Sequence, residues 1–217
     1  MEKLFAQSGL RLKWEDTKLS LNDIGPKNNL KVDLRILNDE TIQFVNHETD
    51  SGVLEAARSD LGPSKYQSDH CKLMVECKSI IEIYINKGHN LDTVDCIQIC
   101  GLEILILNLS LSATGVYVAN EIYHGSILDS LSQMDRMLDI ALNLLSFKTT
   151  VIEIKNKYVQ QKSTVENSKW SVKSKKYNKA LKKKSLKADK KAWTRGTWVA
   201  FRDGKTEIPP PPSNLTA

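Results

Sequence analysis

The chain has 217 residues, 41% of them hydrophobic, with 31 Lys or Arg against 26 Asp or Glu and a formal net charge of +5. That length allows one sizeable core with an extension, and the charge is divided unevenly along it. Residues 148 to 205 hold 18 basic and four acidic side chains, whereas the first 147 hold 13 basic and 21 acidic, a balance of +14 against −8.

The first two thirds of the chain read mainly as strands. Val32, Leu34 and Ile36 alternate with Asp33 and Arg35, Asn38-Asp39-Glu40 reads as a turn, and Ile42 to Val45 returns, which predicts a half-buried hairpin. Asp50-Ser51-Gly52 and Leu61-Gly62-Pro63-Ser64 bracket Val53 to Arg58, which reads as a loop with about one helical turn. Cys71 to Val75 and Ile80 to Ile85 read as two more strands, with a turn at Asn86-Lys87-Gly88-His89-Asn90. Val94 to Ile99, Leu102 to Leu111 and Val116 to Tyr123 complete the set. Turn signals at short intervals favour an antiparallel sheet, sandwich or barrel, so the predicted fold class is α+β.

At Ser126 the period changes. Ile127, Leu131, Met134, Leu138, Leu142 and Leu145 fall on one helical stripe, with Ser126 and Asp129 as a capping box, so a packed amphipathic helix is predicted over 126–147. Packing of that stripe on the sheet is the plainer reading, and dimerisation is the alternative. Thr149 to Ile154 is β-branched and fits either a last strand or more helix. The predicted organisation is a β-rich acidic domain over 1–147, a basic Lys/Trp-rich extension over 148–208 with a small terminal hairpin, and a Pro-rich tail over 209–217.

The longest apolar stretch, Leu102 to Leu111, is too short to span a bilayer as a helix and contains Glu103, Asn108 and Ser110. Met1-Glu2-Lys3-Leu4 lacks the basic start and apolar block of a secretory signal. The expectation is a cytoplasmic or nuclear protein that is not secreted, with four cysteines held as reduced thiols.

The basic extension carries the most legible chemistry. Lys169, Trp170, Lys173, Lys175, Lys176, Tyr177, Lys179, Lys182, Lys183, Lys184, Lys187, Lys190, Lys191, Trp193, Arg195 and Trp198 interleave cations with rings. Cations neutralise phosphates and release counterions, and rings offer platforms for unpaired bases. The combination points to single-stranded nucleic acid, RNA favoured, bound with little sequence preference. Of the 31 basic residues 25 are Lys, a point charge without the planar fork used to read bases; a codon bias would give the same excess. Lys182 to Lys184 with Lys190 and Lys191 also fit a nuclear-import signal. A membrane surface or an acidic partner is the competing target, disfavoured because the apolar line of the segment is thin.

A second constellation is enzymatic. Glu76 and Lys78, two apart on a predicted strand with Asp69 upstream, match the way one class of Mg²⁺-dependent nucleases holds its metal and polarises phosphate. The same Glu-x-Lys recurs at Glu153 and Lys155, which shows how readily the pattern arises, and a cross-strand or surface ion pair is the plainer reading. Cys71, Cys77, Cys96 and Cys100 have spacings poor for zinc and read as small apolar thiols. Phosphate loops, dinucleotide fingerprints and hydrolase elbows are absent from the sequence, and no cofactor or small-molecule substrate is indicated. The expectation is therefore a non-enzymatic nucleic-acid-binding protein that self-associates. A compact body with one cationic arm resembles the general plan of viral coat, matrix or movement proteins, a likeness of architecture alone.

Overall fold

The structure is a computed structural model that describes residues 1–18, 31–42, 44–58, 62–127, 134–172, 190 and 194. A short helix α1 (Glu2–Phe5) precedes three strands, β1 (Arg11–Lys18), β2 (Lys31–Ile42) and β3 (Val45–Ala57), and then helix α2 (Gly62–Asn86). The pattern repeats as β4 (Thr93–Cys100), β5 (Glu103–Ala113) and β6 (Val116–Ser126), followed by helix α3 (Met134–Val172). The strands form one sheet in the order β1-β2-β3-β4-β5-β6. Every neighbouring pair is antiparallel except β3 and β4, which are parallel and joined by α2. The α+β class stands. The sheet, however, is a single open mixed sheet rather than an antiparallel sandwich or barrel, because a crossover helix, not a tight turn, links its two halves.

The two helices cover opposite faces. Leu73, Cys77, Ile80 and Ile81 of α2 pack with Val53, Cys96, Leu105, Leu107 and Leu109, whereas Phe147 and Val151 of α3 pack with Leu34, Ile36, Leu54, Ile97 and Ile106. Successive residues such as Val53 and Leu54, or Cys96 and Ile97, thus enter different cores. A strand buried on both faces loses its polar alternation, which is why β4 and β5 read as near-continuous apolar runs.

Four expectations need correction. The turn placed at Asn38-Asp39-Glu40 is strand; β2 continues to Ile42 and pairs with Val45 across a turn in which Phe44 adopts φ 67°. Val53 to Ala57 is strand rather than loop. Gly52 sits inside β3 because a Cβ there would lie 3.3 Å from Val151 Cγ2 and 3.4 Å from Ile36 Cδ1, so its glycine admits α3 rather than marking a turn. Residues 71–75 and 80–85 lie in helix α2, not in two strands: as short apolar runs they read as sheet, but Leu73, Cys77, Ile80, Ile81 and Tyr84 are buried at helical spacing.

The fourth concerns α3. Helix is present from Met134 on, but Ser126 ends β6, and the helix continues through Thr149 to Val172. Leu138, Leu142 and Leu145, read as the packing stripe, are exposed, while Ile140, Phe147, Val151, Ile154 and Tyr158 are buried on the opposite face. The helix is apolar on two sides, so periodicity alone marks two possible inner faces. β1 and α1 were not anticipated. Among the described residues no helix is long and apolar enough to cross a membrane.

Candidate functional site

The face of the sheet beneath α2 carries a set of buried polar side chains beside its apolar core. Arg35 of β2 lies 1% exposed and grips Asp50 of β3 with two bonds, Nε to Oδ1 at 2.6 Å and Nη2 to Oδ2 at 2.8 Å. A register shift after Ile36 leaves Ser51 as the extra residue of β3, and Ser51 Oγ lies 3.3 Å from the Tyr84 hydroxyl of α2. Glu48 extends the charge line outward, accepting from Arg11 at 2.6 Å and Lys13 at 3.2 Å, with Arg35 Nη1 at 3.7 Å. Arg11 also grips Asp39, and the guanidinium holds the Asp39 carboxyl below its ordinary range.

Deeper under α2, Glu55 of β3 meets the Lys72 ammonium as an ion pair without a directed hydrogen bond. Burial outweighs that pair and raises Glu55 to about 7. Glu76 lies one helical turn beyond Lys72 and is fully buried. Neither of its carboxyl oxygens has a hydrogen-bond partner, and desolvation together with the Glu55 charge pushes it up to about 9. Burial thus favours its neutral form at neutral pH. At the opposite end of the layer, Asp69 pairs with Lys65, and Gln98 links the His70 ring at 3.0 Å to the Tyr66 carbonyl at 3.1 Å.

The structure brings Asp69 and Glu76 to the same buried side of α2 but sends Lys78 elsewhere. Residues two apart share a face on a strand and diverge on a helix. Lys78 lies 3.6 Å from Glu82 and 5.4 Å from the Tyr117 ring centroid. Cys77 and Cys96 touch in the core, where their contact and burial hold the Cys77 thiol well above its ordinary value; Cys71 is exposed and Cys100 lies toward Arg58. Among the described residues no three His, Cys, Asp or Glu are grouped to hold a metal ion. Charged residues inside apolar runs, Leu34-Arg35-Ile36 and Val53-Leu54-Glu55, were the available signal for the buried layer.

A concavity of about 380 Å³ opens at the end of β6, lined by Glu103, Tyr123, His124, Gly125, Ser126, Arg136 and Asp139. Tyr123 leans along its strand over Gly125, where a Cβ would meet the tyrosine hydroxyl, and His124 Nε2 lies 3.3 Å from Glu103 Oε2.

Of the proposed nucleic-acid residues, Lys169 and Trp170 fall in the last turns of α3. Lys190 is described as well: its Nζ lies 2.8 Å from Asp92 Oδ2, just ahead of β4. Lys173, Lys175, Lys176, Tyr177, Lys179, Lys182, Lys183, Lys184, Lys187, Lys191, Trp193, Arg195 and Trp198 lie outside the described residues, as does the predicted terminal hairpin. No protein family matches the chain, and neither does any curated protein or solved structure.

Proposed function

We propose that this chain is a non-enzymatic protein that binds single-stranded nucleic acid, RNA foremost, through its basic C-terminal segment, with little sequence preference. It works in the cytoplasm or nucleus as a self-associating protein of the structural, matrix or movement type. The observation that carries this reading is the segregation of charge, +14 over residues 148–205 against −8 over the first 147. The shape of α3 supports it. Its 39 residues span roughly 58 Å. Tyr158 is its last residue described as buried, so the helix carries the beginning of the basic segment 14 residues further. The Lys190–Asp92 ion pair supports a resting contact of the segment on the acidic body, which a polyanion displaces by competing for the lysine.

Ten lysines lie between Lys173 and Lys191. Single strands lose about 0.7 units of log affinity per log unit of salt for each neutralised phosphate, so full engagement gives a slope near −7. The test is a salt titration of the whole chain against labelled single-stranded RNA, duplex DNA and anionic vesicles. A steep slope and tightest binding on RNA are expected. Absence of RNA binding near physiological salt removes the reading, and binding to vesicles alone replaces it with a membrane adaptor.

A further inference from the structure

We infer that the outer edge of β6 is a self-association surface whose occupant is β6 of a second copy, paired antiparallel about a two-fold axis at Ala119. The two edges of the sheet are built differently. β1 has Arg11, Lys13, Glu15, Asp16 and Lys18 among its eight residues, a charge density that discourages pairing at an edge. β6 has one carboxylate, Glu121, among eleven residues and leaves Val116, Val118 and Ile122 exposed by 50%, 38% and 49%. An edge with so little charge and so many β-branched side chains invites a further strand.

The register of β6 selects its partner. Irregularities fall between Leu111 and Ala113 and between Ile106 and Leu107 of β5, so β6 is regular from Tyr117 to Glu121. An axis at Ala119 uses that whole stretch. The smallest side chain of the stretch then stands at the one place where a residue meets itself. Val118 faces Asn120 of the second copy, and Val116 lies toward its Ile122. Glu121 lands beside Tyr117 of the second copy, whose hydroxyl donates to Glu82 at 3.0 Å and whose ring carries Lys78 Nζ at 5.4 Å, so the only carboxylate of the strand arrives next to a lysine already paired with Glu82. No two like charges of β6 meet across the axis. The outcome is one twelve-stranded sheet, with α2 of both copies on one face and α3 of both on the other.

Five regular residues span about 17 Å, and the contact falls short of the ~800 Å² per partner of a standard interface, so the dimer forms weakly and follows concentration. This deepens the self-association in the proposed function. Its test contains no nucleic acid, so either can fail without the other. Sedimentation velocity and amide exchange of the full chain across roughly a hundredfold concentration range should show a monomer–dimer shift, with protection of residues 117–121 rising in step. Ala119→Lys sets two ammonium groups face to face at the axis and should weaken the dimer by about tenfold or more while leaving β4 exchange unchanged. Ala119→Cys, oxidised with glutathione disulfide, should yield a cross-linked dimer that the unsubstituted chain does not, and it decides the matter if the lysine variant does not fold. A monomer at every concentration overturns the inference. So does a dimer indifferent to Ala119→Lys, or protection of β6 independent of concentration, which would mean that another part of the same chain covers the edge.

Discussion

Replacing Glu76 with Gln should stabilise the protein at neutral pH, and the size of the effect follows from a proton. The Glu76 carboxyl is fully buried, without hydrogen-bond partners, and is raised from 4.5 to about 9 by burial and the nearby Glu55 charge. The folded chain therefore holds a proton that the unfolded chain releases above pH 4.5. Stability is lost as pH rises from 4.5 toward 9, at about 1.4 kcal/mol for each pH unit, which makes roughly 3 kcal/mol by pH 7 as an upper bound. The amide introduced by Glu76→Gln cannot titrate, and it keeps the cost of a buried polar group without partners at every pH. Urea unfolding of both proteins at pH 5 and pH 8 reads out this proton together with its coupling to Glu55, because the stability difference between them cancels the titrations that do not depend on Glu76. The variant should gain about 2–4 kcal/mol on the wild type between those two values. An equal difference at both pH values would refute the reasoning, since it would mean that Glu76 is ionised or solvated in the folded chain.

Three further outcomes check the architecture. Phe147→Ala, which empties a buried site against Phe5, should cost about 3–5 kcal/mol in denaturant unfolding, whereas Leu142→Ser on the exposed stripe should change stability by less than ~0.5 kcal/mol. Equal costs would mean that the inner face of α3 is misassigned. Arg35→Ala leaves the Asp50 carboxylate buried without its bidentate partner and should cost about 3–5 kcal/mol at pH 7 in denaturant unfolding. Gly52→Leu forces α3 from the sheet at Val151 and Ile36 and should lower the melting temperature by several degrees in calorimetry, about 2–4 °C for each kcal/mol lost.

The second half of the sheet was legible because β4, β5 and β6 are linked by short turns at Gly101 and Gly115, both with positive φ, and because their apolar runs are short. The first half was misread where one residue type serves two purposes. Gly52 looks like a turn signal and is instead the clearance for a helix. Ile80, Ile81, Ile83 and Ile85 look like sheet, yet a helix whose inner face is buried tolerates β-branched residues when tertiary packing outweighs propensity. The buried charges were visible as letters but not as a layer. Arg35, Asp50, Glu55 and Glu76 converge only through the β2–β3 register and the crossover of α2, neither of which local pattern encodes.

The continuity of α3 explains how a segment with little apolar character enters the basic extension as helix. Ile140, Phe147, Val151, Ile154 and Tyr158 are buried, and at about 1.5–3 kcal/mol each they hold the middle of the helix on the body. Nucleation, the costly step of helix formation, is thereby met inside the fold, and each later residue needs only propagation. The polar stretch that follows Tyr158 would be marginal as an isolated helix, but it grows here from an anchored template to Val172. Lys162 and Lys169 are consequently carried on a stem fixed to the acidic body rather than on a free tether. A Pro substitution at Lys162 should leave the melting of the core unchanged while removing helical signal beyond it in circular dichroism, and unchanged helicity would show that the distal helix nucleates on its own.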